Sequence, residues 1–401
     1  MDNIKNILKN HMTLNILLTN KCNLSCMHCC NNSNFKNDNG LSTEKVLELV
    51  EDASKYEVRG FYLTGGEVTL RPDLPIIIDA ANKKGLEVGF FTNGTLIDEI
   101  LVNKIKDKVT YVCVSLDGPK EYHDKLRNLD GVYEKAINAI KLLVSHNINT
   151  AIQFTVTRTN MKYIDWVIEL ANELKVDKLY FAPLQPFGRA VDMCDEMLTP
   201  SDHRVLHNKI VENRGKYLSL PIFYKGMIDT DFVKKHPCNI FACSGKNCHK
   251  VKPQFPDKIN IASDGTIYPL SSEIDSKFIM GNINDKKFVD IISDYFQSDQ
   301  SKELIQLCNY IYFKFVKDFK FFVLPWFDMI ADESKKSNYL NYDKSLERDI
   351  ELDPHARSHD YDDSIHNHEH NHEHDHNHEH NHNHEHDHEK QNSSYKYDIQ
   401  F

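Results

Sequence analysis

An excess of positive charge is missing from this 401-residue chain: 48 lysines and arginines stand against 59 aspartates and glutamates, a formal net charge of −11. A broad nucleic-acid-binding face needs a basic patch, so no nucleic-acid partner is expected. Also missing is a basic stretch leading into an apolar run at the N-terminus, which would mark a signal peptide. No apolar run is long and uncharged enough to span a membrane. The most apolar late segment, Tyr310 to Ile330, is broken by Lys314, Lys317, Asp318 and Lys320 and reads as an amphipathic or buried helix. These absences predict a cytoplasmic protein with no membrane partner. Thiols stay reduced in that compartment, so the ten cysteines are expected to be ligands or core residues rather than disulfides.

The chain does contain a regular alternation between residues 12 and 185. Six short apolar runs, starting at Thr13, Gly60, Glu87, Thr110, Asn149 and Asp177, are rich in β-branched and aromatic residues, as buried parallel strands are. Amphipathic stretches such as "STEKVLELVEDASKYE" lie between them, with Ser42 or Thr43 placed to cap that helix. Strand and helix repeated about six times imply a parallel sheet, either doubly wound or curled into a barrel. Beyond residue 200 the regularity fades. A hairpin is expected around "INIASDGTIYP", turning at Asp264-Gly265, and helices between about 296 and 345. From residue 351 the composition collapses to His, Asn, Glu and Asp, which cannot build a core, so a disordered tail is expected.

The chemistry starts with "CNLSCMHCC", four thiols in nine residues directly after the first predicted strand. In a βα barrel the loops after strands form the active face. Cys22, Cys26 and Cys29 form C-x3-C-x2-C, a spacing that suits three thiolates on one face of a [4Fe–4S] cluster, leaving one iron open. Zinc would want a fourth local ligand and no second C-x2-C pair follows, while a redox pair would leave Cys22 unexplained. A structural or zinc role stays open on this evidence, and Cys30 reads as a packed thiol. Gly65, Gly66 and Glu67 end the second strand, where glycines permit close backbone approach and the carboxylate could pair with a cationic amine. Polar residues at the ends of the next strands point to one small-molecule site.

The segments "TNKCNLSCMHC", "LTGGEVTLRPDL", "TNGTLI", "VSLDGPKEYHDKLR" and "TVTRTN" resemble, in order and spacing, the radical S-adenosylmethionine (SAM) superfamily over residues 12 to 190. The resemblance implies an α/β fold, a partial (β/α)6 TIM-type barrel. It implies that Cys22, Cys26 and Cys29 hold a [4Fe–4S] cluster whose open iron chelates SAM. One electron would then cleave SAM to a 5′-deoxyadenosyl radical that abstracts hydrogen from a substrate, with the protein orienting the cofactor. Gly65, Gly66 and Glu67 match the contact with the SAM amino group, His28 the position against the adenine, and Ser115 and Asp117 the ribose or carboxylate contacts. A capped turn is the alternative role for Ser115 and Asp117. Asn93 and Thr157 match weaker positions with a structural reading of their own. Val68 stands where the family usually has proline.

Farther on, "CSGKNCHK…INIASDGTIYPL" is similar to the start of a SPASM or twitch extension, which carries auxiliary clusters. Cys243 and Gly245 fit that pattern, but Leu270 stands where a cysteine is expected. Cys238, Cys243 and Cys248, with Cys308 as a fourth thiolate, are candidates for an auxiliary Fe–S cluster; the alternative is a degenerate extension with free thiols. "LQPFGRA", residues 184 to 190, also recurs in enzymes of this kind. Cys113 is expected in the core and Cys194 to be inert.

The tail alternates imidazoles with amides and carboxylates: His366, His368, His370, His372, His374, His376, His378 and His380 open a tract suited to holding Ni, Zn, Co or Cu. The predicted organisation is a lead-in over 1–11, a core barrel over 12–215, an extension over 216–295, a helical segment over 296–350 and the tail over 351–401. The leading functional expectation is modification of a peptide or protein, with a flavodoxin or ferredoxin as electron donor. The dozen residues before the first strand leave no room for a leader-binding domain. A step in making a haem- or quinone-type cofactor is the alternative, and metal handling through the tail is a third reading.

Overall fold

A computed structural model of the chain describes residues 12–36, 40–226, 228–230, 258–316 and 323–341. Seven parallel strands follow one another in space as in sequence: β1 (Thr13–Leu17), β2 (Gly60–Thr64), β3 (Glu87–Thr92), β4 (Tyr111–Ser115), β5 (Thr150–Val156), β6 (Lys178–Pro183) and β7 (Ile222–Tyr224). Helices return the chain between them: α1 (Thr43–Lys55), α2 (Leu74–Lys83), α3 (Glu99–Ile105), α4 (Lys120–Arg127), α5 (Val132–Ser145), α6 (Ile164–Glu173) and α7 (Pro200–Lys216). All six expected strands are present. Of the two expected caps it is Ser42 that starts α1, its side chain accepting from the Lys45 N–H.

The alternation of each strand sorts its residues between two faces. Leu14, Phe61, Val88, Phe90, Val112, Val114, Ile152, Phe154 and Leu179 are fully buried in one core cluster with the apolar stripes of the helices. Burying each such side chain contributes roughly 1.5–3 kcal/mol, so this face fixes the register. The opposite, inner face is different. Cys113, Ala151 and Tyr180 form a separate buried cluster there with Phe91, Tyr111 and Phe223. Tyr62 and Tyr111 meet edge to face at 5.6 Å, and Tyr180 stacks on Phe223 at 5.2 Å. The lumen is thus an aromatic wall.

The sheet extends past β1. Strand β9 (Lys258–Ile261) pairs in parallel with β1, and β10 (Thr266–Pro269) and β11 (Gly281–Asn282) follow antiparallel, giving the order β11-β10-β9-β1-β2-β3-β4-β5-β6-β7. The β9–β10 turn lies at Asp264-Gly265 as expected, with Gly265 at φ +88°. Residues 216–295 therefore add strands to both edges of the barrel sheet, because Ile222, Ile259, Ile261 and Ile267 are buried against the same core. A short pair, β8 (Ile228–Asp229) with β12 (Val323–Leu324), and helices α8 (Phe288–Gln297), α9 (Asp299–Ile311) and α10 (Trp326–Ser334) complete the described chain. No helix among the described residues is long and apolar enough to cross a membrane.

Candidate functional site

The cysteine loop leaves the C-terminal end of β1 and is pinned by backbone bonds at several points. The Cys22 N–H donates to the Asn34 carbonyl at 3.0 Å, and the Met27 N–H donates to the Leu126 carbonyl at 2.9 Å. Cys22 and Cys26 are buried with Leu24 and Val132, and Cys29, half-buried, packs against them. Burial pushes the Cys22 thiol up to about 12, with Glu67, Cys26 and Cys29 adding to the effect. The Cys26 thiol is raised for the same first reason, opposed by the Arg127 guanidinium. Such thiols shed their protons only to a bound cation, so metal loading here is coupled to proton release. Among the described residues no three His, Cys, Asp or Glu side chains gather around a single-ion point. A cluster that gives each thiolate its own iron does not require such gathering. Cys30 is exposed rather than packed, since the loop turns it outward beside Asn31.

Gly65-Gly66-Glu67 lies directly against this loop. The Gly66 N–H donates to the Thr19 carbonyl at 2.7 Å and the Glu67 N–H to the Lys21 carbonyl at 2.9 Å. A Cβ on Gly65 would fall 2.6 Å from the Thr19 oxygen, and one on Gly66 2.3 Å from the Lys21 oxygen. The two glycines let two stretches of backbone touch. Glu67 is buried, and both its oxygens are engaged. One accepts from the Thr69 N–H (3.1 Å) and from the hydroxyls of Thr69 (2.6 Å) and Thr92 (2.7 Å); the other accepts from the Asn93 N–H at 2.7 Å. Asn93 in turn donates to Asn23 at 2.9 Å, inside the cysteine loop. The ends of β2 and β3 and the loop after β1 are thereby locked together.

A second buried knot follows β4. Asp117, fully buried, accepts from Arg127 Nε at 2.8 Å and from the Thr155 N–H at 3.0 Å. Burial alone would raise its carboxyl, but Arg127, His28, His123 and the Thr155 N–H outweigh it and hold it at about 2. His28 Nε2 lies 3.7 Å from the same carboxylate, and burial lowers the imidazole to about 4, so it is neutral near pH 7. The Asp117 N–H donates to His123 Nδ1 at 3.1 Å, which leaves His123 Nε2 to carry the ring proton, buried and without a hydrogen-bond partner. Thr157, fully buried, is bonded to the Tyr122 hydroxyl at 2.8 Å and accepts from the Asn160 N–H. Ser115, half-buried, ends β4 on the lumen side, in register with Gln153.

The loop after β6 closes on the cysteines from the other side. Gly188 sits at φ +56°, and a Cβ there would be 2.5 Å from the carbonyls of both Cys29 and Cys30. Arg189 donates from Nε to the Cys26 carbonyl at 2.7 Å, from its backbone N–H to the Cys29 carbonyl at 3.0 Å, and from Nη1 to Asn32 at 3.1 Å. Cys22, Cys26, Cys29, His28, Gly65, Gly66, Glu67, Asn93, Asp117 and Thr157 are thus brought into one connected region. Cys238, Cys243, Cys248 and the tail histidines from His366 to His380 lie outside the described residues. Cys308 is buried in α9, its thiol raised to about 12 by burial; Cys113 is buried and Cys194 exposed. Arg127 and Arg189 both stood within the quoted motifs, but nothing in their spacing marked them as partners of Asp117 and Cys26.

Residues 16–171 match the Radical SAM superfamily. The chain is 33% identical over 201 residues to the Fe-coproporphyrin III synthase of Methanosarcina barkeri, covering 50% of each. It is 28% identical over 211 residues to the mycofactocin maturase MftC of Mycobacterium tuberculosis, covering 52% of this chain and 54% of that one. The structure of native anSMEcpe with bound AdoMet and Kp18Cys peptide superposes with a TM-score of 0.58 at 20% identity, over 80% of this chain and 95% of that one. Over residues 16–171 the barrel is thus similar to the radical SAM superfamily. The chain spans about half the length of the curated relatives it matches.

Proposed function

We propose that Cys22, Cys26 and Cys29 hold a [4Fe–4S] cluster at the mouth of the barrel and that the enzyme modifies a peptide or protein substrate. The donor set supports the cluster: three thiols on one loop, two of them raised by burial, with a cationic guanidinium beside Cys26. When bound, that cluster supplies the electron that cleaves SAM to the radical which abstracts hydrogen. The chain's own residues orient and insulate. Arg127 offsets the negative charge that three thiolates bring, and Gly65 and Gly66 keep the loop backbone close. Neutral His28 presents a ring without adding charge. Ser115 and the aromatic wall face the space where a substrate group would sit. The reductant we assign is a flavodoxin or ferredoxin.

The observation that carries the peptide reading is the lumen. It is aromatic, lies below the cysteine loop, and belongs to a sheet whose order runs from β11 to β7 without closing among the described residues. An aromatic inner face on an unclosed sheet suits one side chain of a long substrate. The peptide in the anSMEcpe structure is compatible with this. A second reading, a step in making a haem- or quinone-type cofactor, is favoured by the 33% identity to a protein named Fe-coproporphyrin III synthase. After anaerobic reconstitution, wild type with SAM and reductant should release 5′-deoxyadenosine. Short peptides encoded beside the gene should then change mass. If those peptides stay unchanged while a tetrapyrrole precursor is converted to Fe-coproporphyrin III, the second reading replaces the first.

A further inference from the structure

Lys225 follows β7, and its main-chain N–H donates to the Phe181 carbonyl at 2.7 Å, which extends the β6–β7 pairing by one residue. Its side chain turns into the lumen. Nζ donates to Gln153 Oε1 at 2.8 Å and lies 4.2 Å from the centre of the Phe91 ring and 5.4 Å from that of Tyr180. Gln153 pairs in register with Ser115 at the end of β4, so the ammonium sits one strand from the hydroxyl that faces the reaction space. Lysine is out of place on such a wall, where an apolar side chain would fill the gap between the rings at no electrostatic cost. Ring quadrupoles hold a cation but supply no acceptor. An ammonium has three donors, and Gln153 accepts from one. No carboxylate of the described residues forms an ion pair with Lys225. The residue is half-buried, and no second acceptor for its ammonium is found among the described residues.

The geometry points to Lys225 as an anion-binding residue of the lumen that takes a carboxylate of the substrate and fixes which hydrogen is presented beneath the cysteine loop. This rests on the lumen being the substrate cavity, and it narrows the substrate class to molecules bearing a carboxylate close to the reacting carbon. A carboxylate meeting a partly desolvated ammonium between two rings makes a charge-assisted bond stronger than the same pair in water.

The test is calorimetric titration of succinate into the reconstituted full-length enzyme, with and without SAM, for wild type, Lys225→Met and Lys225→Arg. Methionine keeps the length and packs well on aromatic rings, so the barrel is expected to stay folded, as its melting temperature will show. The expected result is succinate binding to wild type that survives saturation with SAM. Binding should weaken about tenfold or more in Lys225→Met, equivalent to ~1.4 kcal/mol or more, and recover in Lys225→Arg. Three results overturn the assignment: no saturable binding, equal binding to Lys225→Met, or expulsion of succinate by SAM, which would make the anion SAM's own carboxylate. Release of 5′-deoxyadenosine from the same samples reports on the radical chemistry separately, so failure of either reading shows by itself.

Discussion

Arg189 donates from Nε to the Cys26 carbonyl at 2.7 Å, joining residues 163 positions apart in the chain. That bond ties the end of β6 to the centre of the cysteine loop, and Gly188 beside it makes the approach sterically feasible. A charge-assisted bond to a main-chain oxygen fixes the loop without using a thiol. Arg189→Ala should therefore shed iron to a chelator about tenfold faster than wild type, corresponding to ~1.4 kcal/mol, while the iron initially loaded stays the same. Iron release followed by absorbance after adding chelator checks this.

The thiols themselves should separate cleanly. Cys26→Ala is expected to lose the cluster and all 5′-deoxyadenosine formation. Cys30→Ala, which alters an exposed side chain pointing out of the loop, should retain both. Iron and acid-labile sulfide per chain, measured with product release, decides the matter. Full activity in Cys26→Ala would falsify the cluster assignment.

Glu67 holds four donors from three residues on two segments with one buried carboxylate. Glu67→Gln keeps the volume but turns half of that acceptor set into a donor facing the Asn93 N–H or the two threonines. The expected cost is about 3 kcal/mol, from weakened charge-assisted bonds and one mismatched buried group. Denaturant unfolding of the two proteins gives the figure directly.

The enzyme should also lose stability on mild acidification. Burial, then Arg127, lowers the His123 imidazole from the ordinary 6.5 to about 4. The unfolded chain therefore binds a proton that the folded one refuses between those values. Stability is fully present above pH 6.5 and falls as pH drops towards 4, by about 3 kcal/mol for a shift of that size. The Asp117 carboxyl, held at about 2, continues the loss below its ordinary value of 3.8. His28 carries a depression of the same size, so His123→Gln should remove about half of the loss between pH 6.5 and 4, as melting temperatures from pH 7 to 4 will show.

Much of this could be read from the linear chain. The six parallel strands announced themselves as short β-branched runs, because strands buried on both sides carry apolar residues nearly throughout, and the Asp264-Gly265 turn was visible for its backbone requirement. The cysteine triad and the glycines were legible because their chemistry depends on residue type at fixed spacing. The role of the glycines was not. The contact they permit is with Thr19 and Lys21, brought there by the pairing of β1 with β2. Lys225 gave no signal, since its meaning comes from Phe91, Gln153 and Tyr180 on three other strands. Strand β7 and the pairing of β9 with β1 were missed because both strands are short and lie far from their partners along the sequence.

The pairing of β1 with β9 also sets an order of events as the chain is made. Strand β1 leaves the ribosome early and gains β2 soon after, but its other edge waits for residues 258–261. At roughly 5–20 residues per second, that edge stays bare for on the order of ten seconds or more. During this interval the thiol-bearing loop hangs from a half-paired strand. Cluster insertion before β9 arrives would act on a loop whose supporting strand is still free to pair with other chains.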